Sequence, residues 1–373
     1  MGGTVTGVGI VGTGAISGQY LETLGRLSTV RVAAVADVDE ARARAVADEV
    51  DGTRALSVDA LLADPEVDVV LNLTPPAGHA PVALAAIEAG KAVYTEKPLA
   101  ATVADGRRVL AAGDAAGVRV GGAPDTVLGT GVQTARHAID AGLIGAPTAA
   151  TATFLSPGHE RWHPNPDFYY AAGGGPLLDM GPYYVTTLVT LLGPVTSVLG
   201  AGSTARPSRT IGSGPRAGEV ILVEVLTHVT GVLTHASGAL STVTMSFDAV
   251  ATRAEPIEVH GPEGSLVVPD PNRFAGDVLL RRLGGDGWEP LPVSAGYRTG
   301  GRGLGVAELM TAPSAGEARA SGTLALHVLD VMESVLRSAA AGGGSIAVQA
   351  QAERPAAVPP ADEPGAEPSS LLG

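Results

Sequence analysis

Apolar and polar positions alternate along the first third of the chain in the pattern of an α/β protein. From residue 4 to about 125, short β-rich runs are separated by longer alanine-rich stretches with helical periodicity. Most of the runs are apolar throughout, which is typical of strands covered by helices on both faces of a parallel sheet. The predicted strands are Val5 to Val11, Val30 to Ala36, Val67 to Leu73, Ala92 to Thr95 and Val118 to Gly121. The predicted helices are Ile16 to Leu27, Glu40 to Val50, Pro81 to Ala89, Val103 to Ala116 and Gly131 to Ala141.

Beyond residue 145 the chain becomes rich in strand patterns separated by Gly/Pro turns, which predicts an open, mainly antiparallel sheet with one face packed on helices. The predicted strands are Thr148 to Leu155, Glu219 to Val229, Leu240 to Phe247, Ile257 to His260, Ser265 to Val268 and Val278 to Leu283. Two helices are predicted among them, Pro176 to Leu192 and Thr323 to Ala340.

These patterns predict two domains and a tail. Residues 1–125 form a doubly wound parallel domain, and residues 126–353 form an α+β domain. From residue 354 to 373 the chain is mostly Pro, Ala and Glu with little to bury, so this end is predicted to be disordered.

The turn after the first predicted strand carries a dinucleotide-binding pattern. Gly12 and Gly14, followed by Ala15, Ile16 and Ser17, form Gly-x-Gly-x-x-Ser where the strand leads into a helix. Glycines there let the backbone approach a pyrophosphate, which the helix N-terminus stabilises. The alternative interpretation is a glycine turn in another kind of α/β protein.

Asp37 strengthens the dinucleotide interpretation, because it ends the second strand twenty residues after Ser17. An acid there would bind the ribose hydroxyls and repel a 2′-phosphate, so NAD is predicted in preference to NADP. In another α/β protein it would be a solvated acid.

Further candidate cofactor residues follow the third and fourth strands, at the carboxyl edge where doubly wound sheets bind ligands. They are Thr74, Pro75, His79, Glu96 and Lys97. Pro98 restricts the backbone directly after Lys97. His79 either contacts the cofactor or caps the following helix.

Composition narrows the possible partners. The formal charge is −14 and no Lys/Arg-rich run occurs, which argues against binding to nucleic acid or to an anionic membrane. The chain has no cysteine, which excludes disulfides and thiolate chemistry. No basic and apolar leader is evident, so a cytoplasmic location is predicted.

Lysine is nearly absent: only Lys91 and Lys97 occur among 24 basic side chains. A lysine in a chain that otherwise uses arginine suggests a role that arginine cannot fill. Lysine can give up a proton, and guanidinium effectively cannot. Lys91, in a turn, is more simply explained by chance.

The motifs together resemble the Gfo/Idh/MocA family of glucose-fructose oxidoreductase and inositol dehydrogenase. The resemblance rests on Gly12-x-Gly14, Thr74-Pro75, Ala89-Gly90-Lys91, Glu96-Lys97-Pro98 and the glycine-rich segment 173–183, which contains Asp179-Met180-Gly181-Pro182-Tyr183. It covers roughly residues 4 to 350. It implies an NAD-binding Rossmann domain followed by an open sheet used for substrate binding and for assembly as a homodimer or homotetramer.

Tyr183 stands where the family usually has a histidine, which is similar to the dihydrodiol dehydrogenase branch, where lysine and tyrosine act together. The resemblance implies that Tyr183 is the acid/base and that Lys97 assists it, because a phenol with a pKa near 10 needs a nearby cation to act as a base. Asp179 would orient Lys97 or a second hydroxyl. The alternatives are a core aromatic for Tyr183 and a helix-dipole acid for Asp179.

An aromatic and polar segment precedes the predicted helix Pro176 to Leu192. Trp162, His163 and Tyr169 in this segment are candidate substrate residues, because flat rings suit the C–H faces of a sugar and polar atoms suit its hydroxyls. The two histidines, His159 and His163, do not have the spacing of a metal site, so none is predicted.

The predicted function is reversible oxidation of a secondary alcohol or hemiacetal of a sugar, cyclitol or related polyol by NAD. A glycosidase that oxidises and re-reduces its substrate with bound NAD is one alternative. A nucleotide-sensing regulator that has lost catalysis is another.

Overall fold

The computed structural model describes residues 5–359, which divide into two units. Unit 1 comprises residues 5–133, 293–326 and 355–359, and unit 2 comprises residues 134–292 and 327–354. Within residues 5–359 the α-helices are α1 (Ser17–Leu24), α2 (Glu40–Glu49), α3 (Val58–Ala63), α4 (Pro76–Glu88), α5 (Val103–Ala116), α6 (Thr130–Asp140), α7 (Pro176–Leu192), α8 (Leu304–Thr311) and α9 (Gly322–Ala340). In that part of the chain none of the helices is both long enough and apolar enough to cross a membrane.

Unit 1 is built on a six-stranded parallel sheet with the strand order β3-β2-β1-β4-β5-β6. Its strands are β1 (Thr6–Val11), β2 (Val30–Ala36), β3 (Arg54–Ala55), β4 (Val69–Asn72), β5 (Ala92–Thr95) and β6 (Val120–Gly122). The predicted parallel Rossmann sheet is therefore confirmed. Every residue of β4 and β5 is buried, as the continuous apolar runs predict.

Side-chain caps fix where several helices of unit 1 begin. The Asp39 side chain accepts hydrogen bonds from two backbone N–H groups at the start of α2, and the Thr102 side chain accepts one, from Asp105, at the start of α5. A cap satisfies a donor that the first turn of a helix leaves without an internal partner. The short β3 and α3 were not predicted, since neither is long enough to show a clear period.

Unit 2 contains a nine-stranded mixed sheet with the order β16-β15-β14-β13-β7-β12-β11-β8-β17, and a separate two-stranded ribbon of β9 and β10. The strands are β7 (Ala149–Leu155), β8 (Val195–Ser203), β9 (Ser208–Thr210), β10 (Val220–Leu222), β11 (His228–His235), β12 (Leu240–Ser246), β13 (Ile257–Gly261), β14 (Gly264–Val268), β15 (Leu279–Arg282), β16 (Glu289–Pro290) and β17 (Ile346–Ala347). Only β7 and β12 pair in parallel, so the predicted mainly antiparallel sheet is confirmed.

One face of this sheet packs on α7, which contacts β7, β11 and β12. Buried and half-buried residues alternate strictly along β11, as expected for a sheet with one covered face. The predicted single strand Glu219 to Val229 is wrong. The chain leaves β10, which pairs with β9, before it enters β11, which pairs with β8 and β12.

Residues 293–326 belong to unit 1, although the sequence assigned them to the second domain. Backbone and side-chain bonds hold the segment there: Asp125 accepts N–H groups from Gly303 and Gly305, and Arg119 donates to the carbonyl of Leu309 at 2.6 Å. Such contacts join positions more than 170 residues apart and leave no periodic pattern in the sequence.

The tail predicted for residues 354–373 begins with ordered residues. Arg354 donates to the carbonyls of Thr190 and Leu191 in the last turn of α7, and the Val358 N–H donates to Gln133 Oε1 at 2.8 Å. A cationic side chain commonly satisfies the last carbonyls of a helix. Residues 360–373 of the predicted tail lie outside the described residues.

Candidate active site

The turn after β1 presents an accessible stretch of backbone. Gly12 has φ +100°, and a Cβ on it would lie 2.8 Å from the backbone of Leu73, so the close approach of β1 and β4 requires glycine. Gly14 and Ala15 are exposed, and a Cβ on Gly14 would meet nothing within 4 Å. Ile16 is the N-cap of α1. The open turn and the helix N-terminus behind it fit a pyrophosphate.

Asp37 lies directly after β2 and is tied to the same turn. Its Oδ2 accepts the Thr13 N–H at 2.7 Å and the Thr13 hydroxyl at 3.0 Å, and its Oδ1 accepts from Arg42 at 2.7 Å. Burial alone would raise the pKa of Asp37, but the hydrogen bonds from Arg42, Asp39 and Thr13 outweigh it and lower the pKa to about 2. The carboxylate is therefore ionised at neutral pH, which fits a ribose diol.

Thr74 and Pro75 follow β4 at the carboxyl edge of the sheet. The Thr74 hydroxyl donates to Asn72 Oδ1 at 2.7 Å, and the Asn72 amide donates to the carbonyl of His79 at 3.0 Å. Asn72, which no sequence pattern singles out, thus links the end of β4 to α4. Pro75 is the N-cap of α4.

His79 is buried, and both of its ring nitrogens lie close to backbone carbonyls. Nδ1 is 2.6 Å from the Pro98 oxygen and Nε2 is 2.8 Å from the Thr74 oxygen. Burial lowers the pKa of this imidazole. These contacts tie the loop after β4 to the residue that follows Lys97, which gives His79 a structural role without any ligand.

Lys97 comes two residues after the end of β5 and is half-buried. The preceding Glu96 is buried, and it accepts the Tyr20 hydroxyl at 2.8 Å and the Lys97 N–H at 2.7 Å. Glu96 therefore fixes the backbone that presents Lys97. The other lysine, Lys91, donates to the carbonyl of Asp64 at 2.9 Å.

Asp125 is a buried acid near this edge that sequence reasoning missed. Its Oδ2 accepts the N–H groups of Gly303 and Gly305, and its Oδ1 is buried with no hydrogen-bond partner among the described residues. Burial raises the pKa of Asp125 to about 6. The carboxyl joins the chain after β6 to the segment that precedes α8.

In unit 2, Asp179 and Tyr183 lie one turn apart on α7. Tyr183 is buried, and the Asp179 side chain is 16% exposed. The partner of Asp179 is one that the sequence did not predict: its Oδ2 is 3.0 Å from Nε2 of His159. For the adjacent Tyr184, burial raises the pKa above its ordinary value.

Residues 156–170 form the aromatic loop. Its rings pack against one another: Tyr169 lies 5.5 Å from His163, and Trp162 lies 5.4 Å from it, measured between ring centroids. Trp162 is 59% exposed, while His163 and Tyr169 are half-buried. The structure thus brings the three predicted substrate residues together, with one aromatic face open to solvent.

A buried ionic network fixes the base of the aromatic loop. Arg209 has a side chain that is 0% exposed, and it donates to Glu160 at 3.3 Å and to Asp248 at 2.5 Å. Glu160 also accepts the hydroxyl of Tyr170. Gly158 has φ +109°, and a Cβ there would lie 2.1 Å from Glu160 Oε2, so this position requires glycine.

Among the described residues, 5–359, no group of three or more His, Cys, Asp or Glu side chains has the arrangement of a metal site.

Comparison with known proteins places these features among oxidoreductases. Residues 6–122 match the family model described as an oxidoreductase family with an NAD-binding Rossmann fold, and residues 132–267 match the GFO/IDH/MocA C-terminal domain. The 1,5-anhydro-D-fructose reductase of Ensifer adhaerens is 31% identical over 302 residues, which cover 78% of this chain and 84% of that protein. Inositol 2-dehydrogenase 1 of Saccharopolyspora erythraea is 40% identical over 38% of this chain and 43% of its own length.

Solved structures share the fold. An NAD-binding oxidoreductase from Klebsiella pneumoniae has a TM-score of 0.79 at 24% identity and covers 93% of this chain and 100% of its own. Levoglucosan dehydrogenase in complex with NADH and L-sorbose has a TM-score of 0.75 at 21% identity, covering 92% of this chain and 99% of its own. At 24% and 21% sequence identity, these similarities show that this chain shares the fold of those proteins.

Proposed function

The chain belongs to the Gfo/Idh/MocA family of NAD-binding oxidoreductases, and from this premise we propose that it oxidises and reduces a sugar, cyclitol or related polyol. The reacting group is a secondary alcohol or a hemiacetal. The substrate class follows from the relatives, which are named for an anhydrosugar and for inositol.

One observation carries the proposal: Lys97 is presented at the carboxyl edge of a Rossmann sheet, on backbone that Glu96 fixes. This is the edge at which such sheets bind their nicotinamide cofactor. We propose that Gly12, Gly14, Ala15 and Ile16 bind the pyrophosphate of NAD. Asp37 binds the adenosine ribose.

The remaining cofactor residues are proposed from the same edge. Thr74, Pro75, His79 and Glu96 shape the backbone around the nicotinamide half, and the hydrogen bonds of His79 and Glu96 support this positioning role.

When bound, NAD accepts the hydride that leaves the substrate carbon, or returns it in reduction. Tyr183 takes the proton of the substrate hydroxyl during oxidation, so that a carbonyl forms as one proton and one hydride leave. Lys97 supplies the positive charge that favours the phenolate of Tyr183 and the developing charge on the substrate oxygen. Asp179 orients a substrate hydroxyl.

Trp162, His163 and Tyr169 are proposed to contact the ring of the substrate. An exposed indole offers a flat face for C–H groups, while the imidazole and phenol offer polar atoms for hydroxyls. Because burial lowers the pKa of His163, a neutral imidazole is favoured there at neutral pH.

The first experiment is a screen of sugars and cyclitols for net formation of reduced cofactor, followed by matched variants. Lys97→Met and Tyr183→Phe should bind NAD as the wild type does and lose about 10³-fold or more in kcat, since both remove the proton-handling pair. Lys91→Met and Tyr184→Phe are the controls and should keep turnover. Near wild-type activity of Lys97→Met would contradict the mechanism.

The same screen tests the alternatives. A glycosidase that uses NAD transiently would cleave a glycoside without net formation of NADH. A protein that binds NAD but turns over no polyol in the screen would be a sensor and not a dehydrogenase.

We also propose that the uncovered face of the nine-stranded sheet mediates assembly into a homodimer or homotetramer. Along β11 the outward positions Thr230, Val232 and Thr234 stay half-buried in the single chain, and Leu240 on β12 is exposed. Light scattering of the wild type and of Val232→Glu tests this proposal. A monomeric wild type would contradict it.

A further inference from the structure

His159 in the aromatic loop contacts Asp179, the proposed active-site carboxylate. Its Nε2 is 3.0 Å from Asp179 Oδ2, and the two side chains are only 10% and 16% exposed. The two residues are distant in sequence, since His159 lies in the aromatic loop and Asp179 lies in the first turn of α7.

The chemistry of the contact fixes where the proton lies. An ionised carboxylate can only accept, so Nε2 of His159 must carry the hydrogen of this bond. The other nitrogen, Nδ1, is buried and has no hydrogen-bond partner among the described residues. No competing partner on Nδ1 therefore sets the ring orientation; Asp179 and the packing do.

Packing holds the ring from several sides. The His159 ring centroid lies 4.7 Å from that of Tyr169, 5.1 Å from that of Trp162 and 4.5 Å from that of Phe247. The carbonyl of His159 also accepts the N–H groups of Trp162 and His163. The imidazole is thus held by three aromatic neighbours and by its contact with Asp179.

These surroundings would suit an apolar ring equally well. A phenylalanine would fill the same aromatic space without a buried, unpaired nitrogen, which costs stability. The feature that a phenylalanine would not reproduce is the hydrogen bond to Asp179.

We propose that His159 is a positioning residue for the reaction: its Nε2–H holds the Asp179 carboxylate in one orientation, a turn before Tyr183. A fixed carboxylate orients the substrate hydroxyl, because small displacements of a positioning group reduce turnover strongly. This inference rests on the proposed function of Asp179. It adds a residue from the aromatic loop to the groups on α7.

Three substitutions separate the hydrogen bond from the volume of the ring. His159→Phe keeps the ring and removes the donor, and should lower kcat by about 10- to 100-fold with little change in NAD affinity. His159→Gln places an amide N–H near the position of Nε2, and should recover activity to within about 3-fold of wild type. His159→Asn is too short to reach Asp179 and should behave as His159→Phe does.

A double variant tests whether His159 acts through Asp179. If it does, His159→Phe should lower kcat no further once Asp179→Asn is present, because coupled residues are not additive. His260→Phe serves as the control, since His260 bonds Ser265 on β14, and it should leave kcat unchanged. Independent, multiplied losses in the double variant, or equal losses in the Phe and Gln variants, would overturn the proposal.

A spectroscopic test does not depend on turnover. In protein with ¹⁵N-labelled histidine, the signal that disappears in His159→Gln should show a protonated Nε2, and it should change in Asp179→Leu. A proton on Nδ1 alone would overturn the proposal. A wild type that turns over no polyol would contradict the proposed function instead, and the NMR result would still decide whether this hydrogen bond exists.

Discussion

The carboxyl edge of the unit 1 sheet and the aromatic loop of unit 2 hold their polar groups by different means. At the edge, the side chains of His79 and Asp125 form hydrogen bonds with backbone groups of neighbouring segments. In the loop, Glu160 is fixed by two other side chains, Arg209 and Tyr170. Groups that are held by backbone contacts stay in place as long as the local chain geometry is kept. Groups that are held by a side-chain network lose their partners when one member is substituted.

Removing the centre of the network should have the largest effect on stability. Arg209→Met leaves Glu160 buried without its cation and removes the shorter of the two arginine contacts of Asp248, and should lower the free energy of unfolding by about 3–5 kcal/mol. Denaturant unfolding of the variant measures this. Arg216→Met is the control, because Arg216 pairs with exposed partners and should change stability little. Equal losses of stability in the two variants would contradict the view that the buried network contributes more than exposed ion pairs.

In unit 1 the hydrogen bonds to the Asp125 carboxyl come from backbone N–H groups and not from a cationic side chain. The contribution of Asp125 to the free energy of unfolding should therefore depend on pH. Its folded pKa of about 6 lies above the unfolded value of 3.8, so the folded state binds the extra proton between these values. The free energy of unfolding should therefore fall by about 2 kcal/mol as pH rises from 4 to 6, and by about 3 kcal/mol in all across the two pKa values.

The substitution Asp125→Asn tests this dependence. The amide oxygen can still accept from Gly303 and Gly305, while the group no longer ionises. When the free energy of unfolding of this variant is measured from pH 4 to pH 7, the decrease attributed to Asp125 should be absent. An unchanged profile would mean that Asp125 is ionised in both states.

Asp37, at the carboxyl edge of the unit 1 sheet, should have an effect of intermediate size, on the ratio of the affinities for NAD and NADP. Asp37→Ser removes the charge that we propose repels a 2′-phosphate, so the preference for NAD over NADP should fall by about 100-fold, which is close to 3 kcal/mol. Titration of both cofactors measures the ratio. Asp39→Ser, which keeps a capping side chain on α2, should leave the ratio unchanged.

The smallest effect is expected where one local bond satisfies one backbone group. Thr102→Ala removes the cap of α5 and should cost about 1 kcal/mol of unfolding free energy. Thermal unfolding with and without NAD should show the same loss in both conditions. A much larger loss would mean that such caps contribute as much as a buried network.

The same difference explains which parts of the candidate site could be predicted from the sequence. The β1 turn, Asp37 and Glu96-Lys97-Pro98 could be predicted, because strand, turn and helix signals lie within a few residues of one another. The pairs Asp179–His159, Arg209–Asp248 and Asp125–Gly303 could not, since they join residues that no periodic pattern relates. Strand β8 was missed because its glycines and serines obscure the alternation.

Unit 1 is discontinuous in the chain, and this has a consequence for synthesis. Its sheet is complete by Gly122, yet Asp125 obtains its backbone donors only when Gly303 and Gly305 exist, and the Oε1 atom of Gln133 obtains the Val358 N–H donor later still. A ribosome supplies those residues long after the sheet has emerged, at about 5–20 residues per second. During that interval the nascent domain carries Asp125 without its native donors, so its final closure waits until translation has passed Val358.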